Sequence, residues 1–258
     1  VYQVIGTAVI CPLWYLGYAF LSSKDDYLRS GRQVSLVAAK TMFVCTVLGY
    51  GLPTILIYLP WKDLVQHQNW LAFWQPSPIY PNILIWYLTI TQNAPDADII
   101  ESDVPADVNS PRTETQQAKN EDVKYLKRLY IAAGLIGIAT HVSVLYIGIT
   151  STDPRVSVAS IFLPDKSKWK IDAAQGIHWI FQWDFWFCFL PSLLWCLLCV
   201  ADVWRVGNER LTAAKYLMAG GYITLISVLA GPGAAMAAVW YWREDKMVQL
   251  EETKEKST

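Results

Sequence analysis

From Gly176 to Val200 the chain runs twenty-five residues with one charged side chain, Asp184. About 20 apolar residues are enough to cross a bilayer as a helix. In lipid, only a helix or a closed barrel satisfies every backbone polar group. Composition places the rest of the chain in the same solvent. Of 258 residues, 53% are hydrophobic, 17% are charged and 13 are tryptophan, with a mean hydropathy of +0.24. The expected fold class is all-α, a polytopic transmembrane helical bundle of about five to seven spans.

The spans are expected at 1–21, 34–59, 125–149, 173–204 and 212–242. The second contains Lys40 and is kinked by Pro53 in Gly49-Tyr-Gly-Leu-Pro53. The span over 173–204 is kinked near Pro191. Between 62 and 92 the chain is aromatic and broken by Pro76, Pro78 and Pro81, and reads as an interfacial or re-entrant turn entering a short span. Small residues at Gly134, Gly137, Gly220-Gly221 and Ala230-Gly-Pro-Gly-Ala234 predict close helix approaches. Val1 lies within apolar sequence and is not methionine, so further spans are expected before it.

Four regions follow: helices with the Trp/Pro segment over 1–92, an acidic, solvated loop over 93–122, helices with the candidate site over 123–245, and a charged tail over 246–258. Lys254 and Lys256 near the C-terminus resemble the dilysine retrieval signal of endoplasmic-reticulum membrane proteins, which is read in the cytosol. The expected location is that membrane, crossed several times, with a cytosolic C-terminus.

Several chemistries are excluded. A formal charge of −1 without a basic run in the body gives no support for nucleic-acid binding. The five cysteines lie in apolar segments without CxxC spacing, so neither a disulfide framework nor a metal site is expected. No GxSxG, HExxH, P-loop or dinucleotide signature occurs, and no cofactor is expected.

What remains is acid-base chemistry among aromatics. An ionisable residue within a span is costly and marks a functional candidate. At about 100° per residue, Gln175, His178, Trp179, Gln182 and Trp186 share a broad face, and Asp184 lies about 120° round from His178, near Phe181, Cys188 and Trp195. Asp184 therefore needs a partner from another helix: His141, Lys40, Tyr50, Tyr87 or Tyr146. Asp202, at the end of its span, is expected to pair with Arg205. An acid kept protonated by an apolar setting can donate near neutral pH, and Trp and Tyr faces can stabilise the carbocation that follows. The expected catalytic residues are Asp184 as proton donor, with His178 and His141. Gln182, Trp179, Trp183, Trp186, Trp74, Trp86, Gln75 and Tyr50 are expected to bind substrate.

Pro12-Leu-Trp, Gly49-Tyr-Gly-Leu-Pro-Thr54, Leu59-Pro-Trp61, Phe73-Trp-Gln-Pro-Ser-Pro78 and His178-Trp-Ile-Phe-Gln-Trp-Asp184 occur in an order that resembles the membrane-bound terpene cyclases of fungal meroterpenoid pathways, the ascochlorin, ascofuranone and macrophorin group. The resemblance spans most of the chain outside the acidic loop. It implies cyclisation of a farnesyl chain on a prenylated aromatic or polyketide-derived substrate, begun by protonating a terminal epoxide or alkene, without a metal. Two other classes stay open. A sterol isomerase of the emopamil-binding type would use similar residues on a preformed sterol, and a lipid-binding or transport protein would recognise without transforming. The sequence is silent on oligomeric state.

Overall fold

The computed structural model describes residues 7–22, 34–93, 120–153 and 155–256. All regular structure among them is helical. The helices are α1 (Thr7–Ser22), α2 (Leu36–Ile57), α3 (Leu64–Trp74), α4 (Tyr80–Asn93), α5 (Val123–Thr150), α6 (Val158–Phe162), α7 (Ala173–Val206), α8 (Ala213–Ala230) and α9 (Pro232–Glu255). By length and composition α2, α5, α7 and α8 can each cross a membrane, and α1 is a shorter apolar helix. Nearly the whole acidic loop, together with 23–33, falls outside the described residues.

The chain divides into two compact units, one of residues 1–32 with 130–258 and the other of residues 33–129. In the second unit α2 packs on α4, and the end of α2 packs on α3. Pro53 has no N–H to continue the helical ladder, and α2 answers with a π-helical turn at Val47–Gly51, closed by the Leu52 N–H on the Val47 carbonyl. The turn brings Gly49 against α4 so closely that a Cβ there would lie 2.7 Å from the Pro81 nitrogen. The aromatic 62–92 stretch forms α3, a turn at residues 75–79, and α4.

In the first unit α7 is the central element, packed by α1, α8 and α9. Cys196, Val200, Ile223 and Val239 form its buried core. The helix starts where Asp172 accepts the Gln175 N–H and runs through Pro191 to Val206. Register shows that α1 and α7 run parallel: Tyr15 Oη meets Ser192 Oγ at 2.7 Å, Cys11 meets Cys188 at 3.9 Å, and the Arg205 guanidinium reaches the Ser22 carbonyl at 3.0 Å.

The expected span over 212–242 is two helices. Gly231, at φ +98°, ends α8, and Pro232 starts α9. A Gly-Pro pair read as close packing is instead a break, because glycine takes the positive φ and proline is suited to the first turn of a helix. Small residues do serve packing on α5, where a Cβ on Gly137 would lie 3.2 Å from the Ala234 nitrogen. Gly220 and Gly221 face open space, contrary to expectation. The outward side of α5, with Leu135, Ile136, Tyr146 and Ile149 exposed, is the apolar surface expected of a helix in lipid.

Candidate active site

Helix α6 is only five residues long, so most of its carbonyls have no helical donor. Three side chains of α7, one per turn, supply donors. His178 Nε2 lies 2.9 Å from the Ser160 carbonyl, Gln182 Nε2 donates to the Ser160 carbonyl at 2.7 Å and the Leu163 carbonyl at 3.0 Å, and Trp186 Nε1 donates to the Phe162 carbonyl at 2.8 Å. Gln182 is 5% exposed. This ladder straps α6 onto α7, and a Ser157–Ser160 capping box fixes the other end of α6.

Beside the strap lies a cavity of about 500 Å³ lined by Arg155, Ser160, Asp165, Lys168, Asp172, Gln175, His178, Trp179 and Gln182, among others. Its loop is held by short-range ion pairs. Arg155 donates to Asp153 at 2.7 Å and holds that carboxyl down at about 2, and hydrogen bonds from the Ser167 N–H and hydroxyl lower Asp165. Trp179 stacks on Trp169 at 5.7 Å, and its indole N–H is buried without a partner.

From this cavity a ladder of rings descends α7. Trp179 meets Trp183 edge-on at 6.2 Å, and Trp183 meets Phe187 at 5.6 Å. Positions 179, 183 and 187 advance four residues at a time, so each ring is rotated about 40° further round the helix than the last. The drift carries the ladder from the cavity face toward Asp184, which lies about 60° beyond Phe187 on the helical wheel.

Asp184 is half-buried and is engaged by no hydrogen bond or ion pair among the described residues. It starts the stripe Asp184–Cys188–Ser192 that α1 covers through Cys11 and Tyr15. The partner helix for that face is therefore α1, which was not among the expected candidates. Two other carboxylates of the unit are paired: Asp202 with Arg205 at 3.2 Å as expected, and buried Glu244 at 2.9 Å with Arg243, which stacks over Trp240 at 4.7 Å.

His141 is placed elsewhere, with Nε2 3.1 Å from the Val228 carbonyl at the α8–α9 break. No hydrogen bond joins Asp184 to His178 or His141. Trp74, Gln75, Trp86 and Tyr50 belong to the second unit. There Trp74 Nε1 donates to Thr54 Oγ1 at 3.0 Å, Gln75 caps α3, and Trp86 and Tyr50 are exposed. An apolar cavity of about 380 Å³ in that unit is lined by Leu48, Pro53, Phe73 and Tyr80 and includes none of those four. Among the described residues no cluster of three or more His, Cys, Asp or Glu could hold a metal.

Three side chains of this site escaped sequence reasoning: Trp169, Phe187 and Tyr15. The i, i+4 aromatic spacing from Trp179 to Phe187 was legible on a helical wheel, whereas Trp169 and Tyr15 arrive from other segments.

A family model described as the CtvD domain matches residues 1–248. The terpene cyclase ascI of Acremonium egyptiacum is 25% identical over 264 residues, 97% of this chain and 62% of that protein. The terpene cyclase resF of Aspergillus sclerotiorum is 26% identical over 94% of this chain and 61% of its own length. The FAD-dependent monooxygenase verC1 of Penicillium polonicum is 23% identical over 94% of this chain and 27% of its own length. The chain thus spans about three fifths of the length of the two cyclases. No solved structure matches.

Proposed function

The chain belongs to the CtvD domain family, and from that premise we propose that it is an integral membrane terpene cyclase acting on the farnesyl chain of a prenylated aromatic or polyketide-derived precursor. The observation that carries this reading is the ring ladder from the polar cavity to the flank of Asp184, a half-buried carboxylate with no ion pair among the described residues. The names borne by the relatives support it.

Asp184 is the proton donor. It transfers its proton to a terminal epoxide oxygen, whose C–O bond opens, or to a terminal alkene carbon. The tertiary cation is then attacked by the next π bond of the chain, forming a ring carbon–carbon bond and moving the charge along. Loss of a proton from the last cation returns the balance, so substrate and product are isomers. Trp179, Trp183, Trp186 and Phe187 offer π faces that favour the cation without adding a nucleophile. A relative named for an FAD-dependent monooxygenase makes the epoxide the first form to test.

His178 and Gln182 hold the wall of the cavity, and His141 holds the α8–α9 break. These are positioning roles, since their donating nitrogens face backbone carbonyls. Lys254 and Lys256 support an endoplasmic-reticulum location with a cytosolic C-terminus.

The test is mass spectrometry of products from microsomes carrying the protein, fed farnesylresorcinol in alkene and terminal-epoxide forms beside an Asp184→Asn variant. Cyclised isomers from the native protein that vanish in the variant are expected. Cyclisation surviving in Asp184→Asn removes Asp184 as the acid, and no conversion of either form removes the cyclase reading.

A further inference from the structure

We infer that the groove between α8, α9 and the last turns of α7 holds one phospholipid, with an acyl chain in the groove and a headgroup of net negative charge at its mouth. Shape comes first. The groove has a volume of about 400 Å³. Lys215, Met218, Tyr222 and Ile226 line it from α8 at intervals of three and four residues, so they form one helical face. From Lys215 to Ile226 that face runs about 16 Å. The hydrocarbon of one leaflet is about 15 Å deep, half of a core of about 30 Å. A chain whose headgroup sits at Lys215 therefore fills the groove to its end within its own leaflet.

The walls suit hydrocarbon. Val200, Ile223 and Val239, members of the unit's buried core, also line the groove, and Trp204 of α7 and Ala238 of α9 complete its sides. Met218 and Tyr222 are exposed, so the groove opens outward, toward lipid. Left empty, it would forfeit dispersion contacts along the whole apolar lining, which offers water too few polar partners. None of these residues belongs to the ring ladder or to the Asp184 face.

The mouth supplies the charge. Lys215 is the one charged side chain in the lining. Its ammonium is held by Glu209 at 2.6 Å and over the Trp204 ring at 5.6 Å. An ammonium has three donors, so it can take a phosphate oxygen as well. Arg210, exposed and next in the chain to Glu209, brings this end of α8 to two cations against one anion. A net-negative headgroup complements that balance. Trp204 and Tyr216 meet edge-on at 5.9 Å beside Lys215, the aromatic pairing typical of the headgroup level.

The test is photolabelling of the full chain in phosphatidylcholine nanodiscs. The probes are phosphatidylglycerol and phosphatidylcholine, each carrying a diazirine in one acyl chain and added at equal mole fraction, and labelled residues are located by mass spectrometry. Label is expected on the stripe from Lys215 to Ile226 and on Ala238, about fivefold denser from phosphatidylglycerol. Lys215→Gln is expected to level the two probes. Ala238→Phe fills the groove from an exposed wall residue and is expected to abolish label there, leaving label on Leu135 and Ile136 of α5 unchanged.

Label in the groove no denser than on the outward face of α5 overturns the site, since it reports only the surrounding bilayer. Equal labelling of the native groove by the two probes, or a preference that persists in Lys215→Gln, overturns the headgroup contact. Loss of groove label on adding ergosterol or farnesylresorcinol, at a mole fraction where unlabelled phosphatidylglycerol leaves it unchanged, gives the groove to that ligand and overturns the phospholipid. The native protein answers whether or not the Ala238→Phe chain folds, and each outcome is read without cyclase turnover.

Discussion

His141 Nε2 lies 3.1 Å from the carbonyl oxygen of Val228, a group that loses its helical donor because residue 232 is proline. The imidazole on α5 thus completes the break between α8 and α9, and Gly231 is fitted so tightly there that a Cβ would meet the His141 Cβ at 2.8 Å. Replacing His141 with Leu leaves the carbonyl unsatisfied, which costs about 1–3 kcal/mol. The expected result is a lowered thermal midpoint in detergent. Lost turnover at undiminished stability would instead give His141 a chemical role.

The strap on α6 makes a sharper test, because one atom serves more than one carbonyl. Gln182→Glu keeps the shape of the side chain and replaces its N–H donors with an acceptor facing the Ser160 and Leu163 carbonyls. Amide exchange across residues 155–163 is expected to accelerate by about 5- to 150-fold, in line with a local loss of 1–3 kcal/mol. Exchange unchanged in that segment would show that Gln182 does not hold it.

Gly49→Ala probes the second unit by itself. The added methyl meets the ring and nitrogen of Pro81 at 2.7–3.0 Å, and proline cannot rotate away as a flexible side chain would. Overpacking of this kind costs about 1–3 kcal/mol. Faster exchange in α2 and α4 is expected, and unaltered protection in both would contradict the close approach.

Much of this organisation was legible in the chain, and the misses have physical causes. The helices at 36–57, 123–150 and 173–206 follow from apolar length sufficient to cross a bilayer. Asp184 and Cys188 share a face by period alone, yet the helix covering that face could not be read, because in lipid an apolar helix surface does not reveal its partner. Histidines in an apolar span look expensive and read as catalysts. Their actual acceptors are backbone carbonyls at helix ends, which no side-chain pattern announces. The Gly231-Pro232 break was present as a signal and lost to the competing reading of small residues as packing.

The loop over the cavity should be insensitive to mild acid. Arg155 holds the Asp153 carboxyl down at about 2, so the clamp is complete above the ordinary carboxylate range and is lost only as pH falls through about 2. Both groups are exposed, and the effect is on local geometry. The Asp153 carboxyl signal, followed by carbon NMR, is expected to stay flat from pH 7 to about 3 and to titrate at higher pH in Arg155→Gln, still below the ordinary value of about 3.9 because the backbone N–H of residue 155 goes on donating to it.

The ring ladder predicts that Trp183 acts on the rate of cyclisation. Trp183 links Trp179 to Phe187 and is 38% exposed, so its face is open to a chain lying along α7. Cation–π attraction of about 0.5–2 kcal/mol would be lost in Trp183→Leu, which corresponds to a fall in kcat of roughly 2- to 30-fold. Trp183→Phe keeps a weaker π face and should fall between the two. Leucine occupies a similar place in the apolar surface, so a purely packing role predicts no such order among the three side chains. Turnover of farnesylresorcinol epoxide by the three proteins, normalised to folded protein, decides it: a graded loss from Trp through Phe to Leu places the cation beside this ring, and equal turnover by Phe and Leu places it elsewhere.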